Sequence, residues 1–323
     1  MIPLPEFTLL RPKTLAEAAR LARAPNARLI AGGTALIPNL RLGLGAPRTL
    51  VSLDRLEALR RIDISDRGCS IGACVSLQTL SEDSRMPTAL REAARAVAAP
   101  AHRSAATLGG NLCLDTRCVY YNQSEHWRRS NGYCLKHGGD TCHVAPQGKK
   151  CRAAYSGDLA PALLVLGAEV DVLCNDGTRR LAALEDLYQD DGAKHLTLAP
   201  GEIIAAVHLP PARGRSGYAK LRARGSIDFP LAGVAMTVAT RNAVIQELRV
   251  ALTGTNSRPF LVEGTEALVG AEAGEAAGAM LAKLVQKQAG PMRTTLTAAD
   301  YRRQGAMVLA RRLLGRLTRG EGP

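Results

Sequence analysis

Aromatic residues are scarce in this chain: three Phe, seven Tyr and one Trp among 323 residues. The core must therefore be packed mostly by Ala, Leu and Val. Long hydrophobic runs are also missing. The longest uncharged apolar stretch, residues 159–168, is about half of what a membrane-spanning helix needs. Pro3, Pro5 and Glu6 follow Met1, which leaves no apolar core for a signal peptide. A soluble, cytoplasmic protein with no membrane span is expected. Acidic charge is in the minority, 29 Asp and Glu against 42 Lys and Arg, for a net charge of +13. The excess is dispersed, and no basic run alternates with aromatics as a nucleic-acid stacking platform would. An acidic partner or an anionic cofactor is expected, and no nucleic acid. The chain also lacks a Ser/His/Asp arrangement, paired carboxylates and a P-loop. With no substrate-transforming constellation of its own, it reads as a subunit that holds a cofactor and lets the cofactor do the chemistry.

What is present concentrates in one stretch. Residues 116–153 hold four of the eight cysteines, three of the six histidines, three of the seven tyrosines and the only tryptophan. The stretch has no clear hydrophobic period, yet disorder fits poorly with so many aromatics and cysteines. Cys118, Cys134, Cys142 and Cys151 have the spacing C-x15-C-x7-C-x8-C. No C-x2-C pair occurs, so neither a zinc ribbon nor a bacterial ferredoxin run is matched. In a reducing compartment eight cysteines favour metal sites or buried thiols over disulfides. By pattern alone, zinc and an iron–sulfur cluster both remain open. His126, His137 and His143 keep a mixed Cys/His site open, and Cys113 is a fifth thiol near the group. Cys69, Cys74 and Cys174 read as small buried hydrophobes.

The rest of the chain has regular periods. Residues 13–24 read as a helix with a capping box at Thr14 and Glu17. Strands are expected at 26–30, 50–53, 69–71, 168–174 and 202–209, and helices at 77–81, 88–99 and 159–166. Asn175-Asp176-Gly177-Thr178 marks a hairpin turn. Residues 210–216 (Pro-Pro-Ala-Arg-Gly-Arg-Ser) are the best linker. Beyond it come strands at 218–223, 232–240 and 244–252, then helices at 261–269, 273–288 and 298–317. Strands followed by helices suggest a small α+β domain. The last helix carries Arg302, Arg303, Arg311, Arg312 and Arg316 and reads as solvated, or as docked on an acidic subunit.

Two glycine turns stand out. Ala31-Gly32-Gly33-Thr34 follows a strand, and Thr107 precedes Gly109-Gly110-Asn111. Paired glycines let backbone N–H groups approach an anion closely. Each could also be an ordinary turn, but together they could grip a pyrophosphate from two sides. Gly43-Leu44-Gly45 lacks the third glycine and the leading strand of a nicotinamide fingerprint and is set aside. Asp158 reads either as a helix N-cap or as an acceptor for ribityl or ribose hydroxyls. Lys220 reads as a solvated edge residue or as a cation near a phosphate or flavin.

Ala31-Gly32-Gly33-Thr34, Thr107-Leu108-Gly109-Gly110-Asn111, Asp158 with Leu159-Ala160-Pro161-Ala162-Leu163, and Lys220 with Asp228-Phe229-Pro230 together resemble the FAD-binding medium subunits of the xanthine dehydrogenase family of molybdenum hydroxylases. The resemblance runs in order over nearly the whole chain. It implies an α+β architecture: a two-part FAD-binding domain of the vanillyl-alcohol-oxidase type over 1–212, then a small α+β domain over 213–323. It implies cofactor contacts at Leu29, Ile30, Ala31, Gly32, Gly33, Thr34, Ala35, Leu36, Thr107, Gly110, Asn111, Asp158, Ile204 and Lys220, and no catalytic residue in this chain. Ala35 departs from the polar residue found there in many members, which removes one side-chain bond to FAD and leaves the backbone contacts.

The insertion at 116–153 is absent from most of that family. Asp115-Thr116-Arg117-Cys118, Tyr121-Asn122-Gln123-Ser124-Glu125, Asn131-Gly132-Tyr133-Cys134 and Cys142-His143-Val144 resemble the insertion of the 4-hydroxybenzoyl-CoA reductase branch. There the resemblance implies a 4Fe–4S cluster on Cys118, Cys134, Cys142 and Cys151. It further implies partner subunits with the molybdenum cofactor and two 2Fe–2S clusters, in a dimer of heterotrimers. Electrons would run from reduced ferredoxin through the cluster and FAD to molybdenum, where a phenolic hydroxyl is removed. Arg117, Arg128, Arg129, Lys136, Lys149, Lys150 and Arg152 are expected to dock the ferredoxin. The alternatives are another aromatic or N-heterocyclic substrate on the same layout, or a zinc-stabilised nucleotide-binding regulator.

Overall fold

The computed structural model describes residues 2–290 and 292–320; Met1 and 321–323, at the ends of the expected domains, lie outside it. Three sheets carry the chain. Strands β1 (Thr8–Leu10), β2 (Ala27–Ile30) and β3 (Thr49–Ser52) form a parallel sheet in the order β1-β3-β2. Strands β4 (Ile62–Ser65), β5 (Gly68–Gly72), β6 (Glu169–Leu173), β7 (Arg179–Ala183) and β8 (Ile203–Leu209) form an antiparallel sheet in the order β4-β5-β8-β6-β7. Strands β9 (Arg215–Leu221), β10 (Ala232–Arg241), β11 (Val244–Thr253) and β12 (Phe260–Leu261) form an antiparallel sheet in the order β12-β11-β10-β9.

The helices are α1 (Leu15–Ala22), α2 (Leu36–Arg41), α3 (Leu77–Glu82), α4 (Thr88–Ala96), α5 (Pro100–Ala105), α6 (Leu108–Leu112), α7 (Glu125–Ser130), α8 (Leu159–Val165), α9 (Glu275–Gln288) and α10 (Ala299–Arg319). The expected α+β class, in two parts followed by a smaller α+β unit, is what this order gives. In the described residues no helix is long and apolar enough to cross a membrane.

Burial follows the composition. Helix α8 is buried along its whole length and sits in a core of Leu, Ala and Val with Leu77, Leu90, Leu108, Val170 and Val207. A second core joins β10 and β11 to α9 and α10 through Val234, Met236, Val250, Leu281 and Leu313. Thr14 caps α1, accepting from Glu17 N–H at 3.1 Å as the capping box requires.

Three expected elements differ. The helix expected over 88–99 stops at Ala96; Ala98 takes φ +41°, and Pro100 opens a separate helix. The helix expected at 261–269 is instead β12 and a short 3-10 turn at Thr265–Leu268. Leu261 pairs with Ala251, and Gly264, at φ +84°, opens the 3-10 turn. Residues 116–153, which showed no period, contain the six-residue helix α7, capped by Ser124 on Trp127 N–H.

Candidate functional site

The first glycine turn joins β2 to α2. Gly33 takes φ +69°, the left-handed region that glycine enters at no steric cost. A Cβ on Gly32 would lie 1.8 Å from the Ala105 carbonyl oxygen, so this position admits no side chain. Ala105 ends α5 two residues before Thr107, so the two glycine turns lie side by side. They are not equivalent. Among the described residues nothing accepts from the backbone N–H groups of Gly32, Gly33, Thr34, Ala35 or Leu36, and Ala35, at the head of α2, offers no side-chain cap. Five successive amides are thus left without a protein acceptor, an arrangement that a bound anion would satisfy.

In the second turn the amides of residues 108–111 are committed. Leu108 N–H donates to Val75 O at 3.0 Å, Gly109 N–H to Ala73 O at 2.8 Å and Asn111 N–H to Thr107 O at 2.9 Å. Gly110 N–H donates to Thr107 Oγ1 at 3.2 Å. The two turns thus differ in their backbone: the amides of the second are bound into the frame that supports the first.

Asp158 does not cap α8. Asn111 does, its Oδ1 accepting from Leu159 N–H at 3.0 Å. The Asp158 carboxylate instead accepts from Tyr218 Oη at 2.7 Å and Lys220 Nζ at 3.1 Å, both on β9. Burial pushes the Asp158 carboxyl above its ordinary range, against the opposing pull of Lys220. Lys220 is no solvated edge residue: its side chain is 5% exposed, and it also donates to Ala96 O at 3.0 Å at the end of α4. A buried ion pair thus joins the larger unit to the smaller one. Leu29 and Ile30 lie half-buried on β2, and the Ile204 side chain is buried in the main core.

The insertion closes at its base by a two-residue antiparallel bridge, Arg117 N–H to Ala154 O at 2.7 Å and Ala154 N–H to Arg117 O at 2.8 Å. Inside it Cys118, Cys134, Cys142 and Cys151 are all buried and line one cavity, with Tyr120, Tyr121, Leu135, Lys136, His143, Val144 and Ala153. The backbone of each cysteine is fixed by a hydrogen bond, three of them in tight turns. Cys118 O accepts from Asn122 N–H at 2.9 Å, Cys134 O from His137 N–H at 2.7 Å, and Cys142 O from Ala145 N–H at 3.0 Å. Cys151 N–H donates to Asp191 Oδ1 at 3.2 Å. A hydrogen bond between the Cys142 and Cys151 thiols pushes Cys142 down and Cys151 up. Burial raises Cys118.

Cys113 does not line this cavity; it packs against the main core, where burial pushes its thiol up to about 12. Of the histidines only His143 lines the cavity, and its Nε2 is engaged by Tyr133 O. His126 is exposed, and His137 stands near Glu125. Among the described residues no three Cys, His, Asp or Glu side chains converge as ligands of a single ion would.

Three cations expected to dock a partner are occupied within the fold. Arg128 is 1% exposed. It donates to Leu42 O at 3.1 Å, Gly43 O at 3.0 Å and Glu125 Oε2 at 2.7 Å, so it ties the insertion to the end of α2. Arg117 donates to Asn39 Oδ1 at 3.0 Å and lies 4.6 Å over the Phe229 ring, reaching both α2 and the smaller unit. Lys136 pairs with Asp115 at 2.6 Å and lies 4.4 Å over the Tyr121 ring. Sequence reasoning missed these roles because a basic residue in an aperiodic segment reads as solvated by default. Arg129, Lys149 and Lys150 are exposed, and Arg152 is half-buried.

Residues 5–212 match the family model of the FAD binding domain in molybdopterin dehydrogenase, and residues 217–317 that of the CO dehydrogenase flavoprotein C-terminal domain. This chain belongs to the FAD-binding subunits of the molybdenum hydroxylase family. The flavin subunit is 36% identical over 278 residues to the aldehyde oxidoreductase FAD-binding subunit PaoB of Escherichia coli (strain K12), covering 81% of this chain and 85% of PaoB. It is 26% identical over 323 residues to the carbon monoxide dehydrogenase medium chain of Afipia carboxidovorans, covering 98% of each. A crystal structure of the Cu,Mo-CO dehydrogenase superposes on it with a TM-score of 0.80 at 25% identity, over 98% of this chain and 99% of that one.

The flavin subunit's residues suit the cofactor that this family binds. Five unclaimed amides at 32–36 provide donors for a pyrophosphate, and the close approach at Gly32 keeps that backbone bare. The four cysteines line one cavity, and thiolates suit zinc and iron–sulfur centres alike.

Proposed function

We propose that this flavin subunit carries a 4Fe–4S cluster on Cys118, Cys134, Cys142 and Cys151 beside its FAD, and passes electrons from a reduced ferredoxin toward partner subunits that hold 2Fe–2S clusters and molybdenum. The substrate reduced at the molybdenum subunit is 4-hydroxybenzoyl-CoA, giving benzoyl-CoA by loss of the phenolic hydroxyl. The observation that carries this reading is that four buried cysteines line one cavity within a segment that Arg117 and Arg128 clamp to α2, the helix that follows the flavin turn, and to its C-terminal end. When bound, the cluster and flavin supply one-electron and two-electron redox chemistry in series. The amides of 32–36 hold the anionic part of the flavin cofactor, the Asp158–Lys220 pair fixes the smaller unit against the larger, and the insertion keeps water from the cysteines. Docking of an acidic ferredoxin falls to Arg129, Lys149, Lys150 and Arg152, since Arg117, Arg128 and Lys136 face inward.

The test is anaerobic purification with iron, sulfide, zinc and released flavin counted per chain, repeated for Cys134→Ser. About four irons, four sulfides and one FAD are expected, with iron lost in the variant. Zinc without iron would overturn the cluster and favour the zinc-stabilised reading. Ferredoxin-dependent turnover of 4-hydroxybenzoyl-CoA by the assembled enzyme tests the substrate. A second reading, oxidation of an aldehyde by the same layout, is favoured by the 36% identity to the PaoB subunit. It wins if the assembled enzyme oxidises aldehydes and leaves 4-hydroxybenzoyl-CoA unchanged.

A further inference from the structure

Two arginines are fully buried, Arg128 at 1% and Arg302 at 2% exposure. Arg128 has a counter-charge in Glu125. Arg302, in the first turn of α10, has none: among the described residues no carboxylate pairs with it. Its guanidinium donates only to uncharged oxygens, Nε to Leu231 O at 2.9 Å, and Nη1 to Met292 O at 3.1 Å and to Thr294 Oγ1. Burying a cation without an opposing charge is strongly unfavourable. Burial pushes the Arg302 pKa down to about 10, and the charge of a Cys118 thiolate would pull it the other way. The geometry agrees. Thr294, which holds Nη1 with its hydroxyl, accepts Val119 N–H at 2.8 Å with its carbonyl. Two hydrogen bonds therefore separate the guanidinium from the residue next to Cys118. The basic character of this helix had suggested a solvated face, but Arg302 points the other way.

We infer that Arg302 is the counter-charge of the metal centre on Cys118, Cys134, Cys142 and Cys151: a positioning residue of the smaller unit that offsets the negative charge of the thiolates and raises the centre's reduction potential. The inference rests on the iron–sulfur reading above. Four thiolates make such a centre anionic, and each electron added makes it more so. A fixed cation in a low-dielectric setting stabilises the reduced form more than the oxidised one. Lys136 lines the same cavity, but Asp115 already balances it. Arg302 has no carboxylate to balance it among the described residues, so the centre is the charge left for it, and it makes the seating of α10 depend on the state of the insertion.

The test uses the full chain, purified anaerobically, with iron and sulfide counted and the cluster's midpoint potential read by EPR-monitored titration. Arg302→Met removes charge and donors. Arg302→Gln removes the charge and keeps an amide to donate to Leu231 O or Thr294 Oγ1. Arg302→Lys keeps the charge. Met and Gln variants that retain iron are expected to be at least tenfold harder to reduce, a fall of about 59 mV or more for one electron, with Lys close to wild type. Wild-type potentials in iron-loaded Met and Gln variants would overturn the inference while leaving the cluster in place. Loss of iron from Met and Gln but not Lys supports it. Loss from all three, Lys included, makes Arg302 a packing residue and overturns it. Wild-type chain lacking iron and sulfide would instead defeat the iron–sulfur reading, and the inference with it.

Discussion

The frame around the flavin turn and the insertion at 116–153 are ordered by different means. The frame has two sheets, a fully buried helix α8 and a core of Leu, Ala and Val shared among many residues. The insertion has one two-residue bridge, one six-residue helix and a small cluster of Leu44, Cys118, Tyr121, Cys151 and Ala153. Its order comes from a few chemically specific side chains: four cysteines on one cavity, Arg128 on the carbonyls of Leu42 and Gly43, and Lys136 on Asp115 and Thr116. In the frame, stability is spread over many contacts, so single losses are graded. In the insertion it is concentrated, so one loss should be local and large.

The sharpest break in that comparison is Cys134→Ser. It should release the iron and raise hydrogen exchange across 116–153, while the frame's exchange stays near wild type. Equal loosening of frame and insertion would show that the two are one cooperative unit. Next comes Arg128→Met. It strips the donors from three backbone carbonyls (Leu42, Gly43 and Gln123), while Glu125 keeps Tyr133 Oη at 2.8 Å and Arg129 at 3.6 Å. Leaving these buried carbonyls without their donors should cost about 1–3 kcal/mol, read by denaturant unfolding. A change below about 1 kcal/mol would mean that the clamp to α2 is dispensable.

The same contrast explains what could be read from sequence. The frame was legible because its apolar residues recur at helix or strand spacing: α1, α8, β8, β10 and β11 fall within a residue or two of expectation. The glycine turns were legible as backbone chemistry, but which of them keeps free amides depends on Ala73 and Val75, distant in sequence. Asp158 invited the cap reading because it precedes a helix; Asn111, from another loop, takes that place. The cysteines could be named from their types alone. The inward turn of Arg117, Arg128, Lys136, Lys220 and Arg302 could not, because a long basic side chain has no periodic signature of burial.

The seam between frame and insertion should be the acid-sensitive part. His195 is 8% exposed, packs 6.0 Å from the Tyr155 ring and has no partner at Nε2. Burial lowers its pKa from 6.5 to about 4. The unfolded chain then binds a proton that the folded chain refuses, so stability rises with pH between about 4 and 6.5 and levels off above. Falling through that window should cost up to about 3 kcal/mol. His195→Gln should flatten the pH dependence of unfolding there; an unchanged slope would place the acid sensitivity elsewhere.

The smallest effect separates the two glycine turns. Thr107→Ala removes the hydroxyl that accepts Gly110 N–H at the start of α6, a cap worth about 1 kcal/mol. It leaves the five free amides at 32–36 untouched. Gly32→Ala does the opposite: its Cβ would meet the Ala105 carbonyl oxygen at 1.8 Å and force the turn open. The pair should therefore split stability from flavin retention. Thr107→Ala should melt earlier and keep its FAD, and Gly32→Ala should lose FAD on gel filtration. If Thr107→Ala also releases the flavin, the second turn grips the cofactor through its hydroxyl, and the unequal division of labour between the turns is wrong.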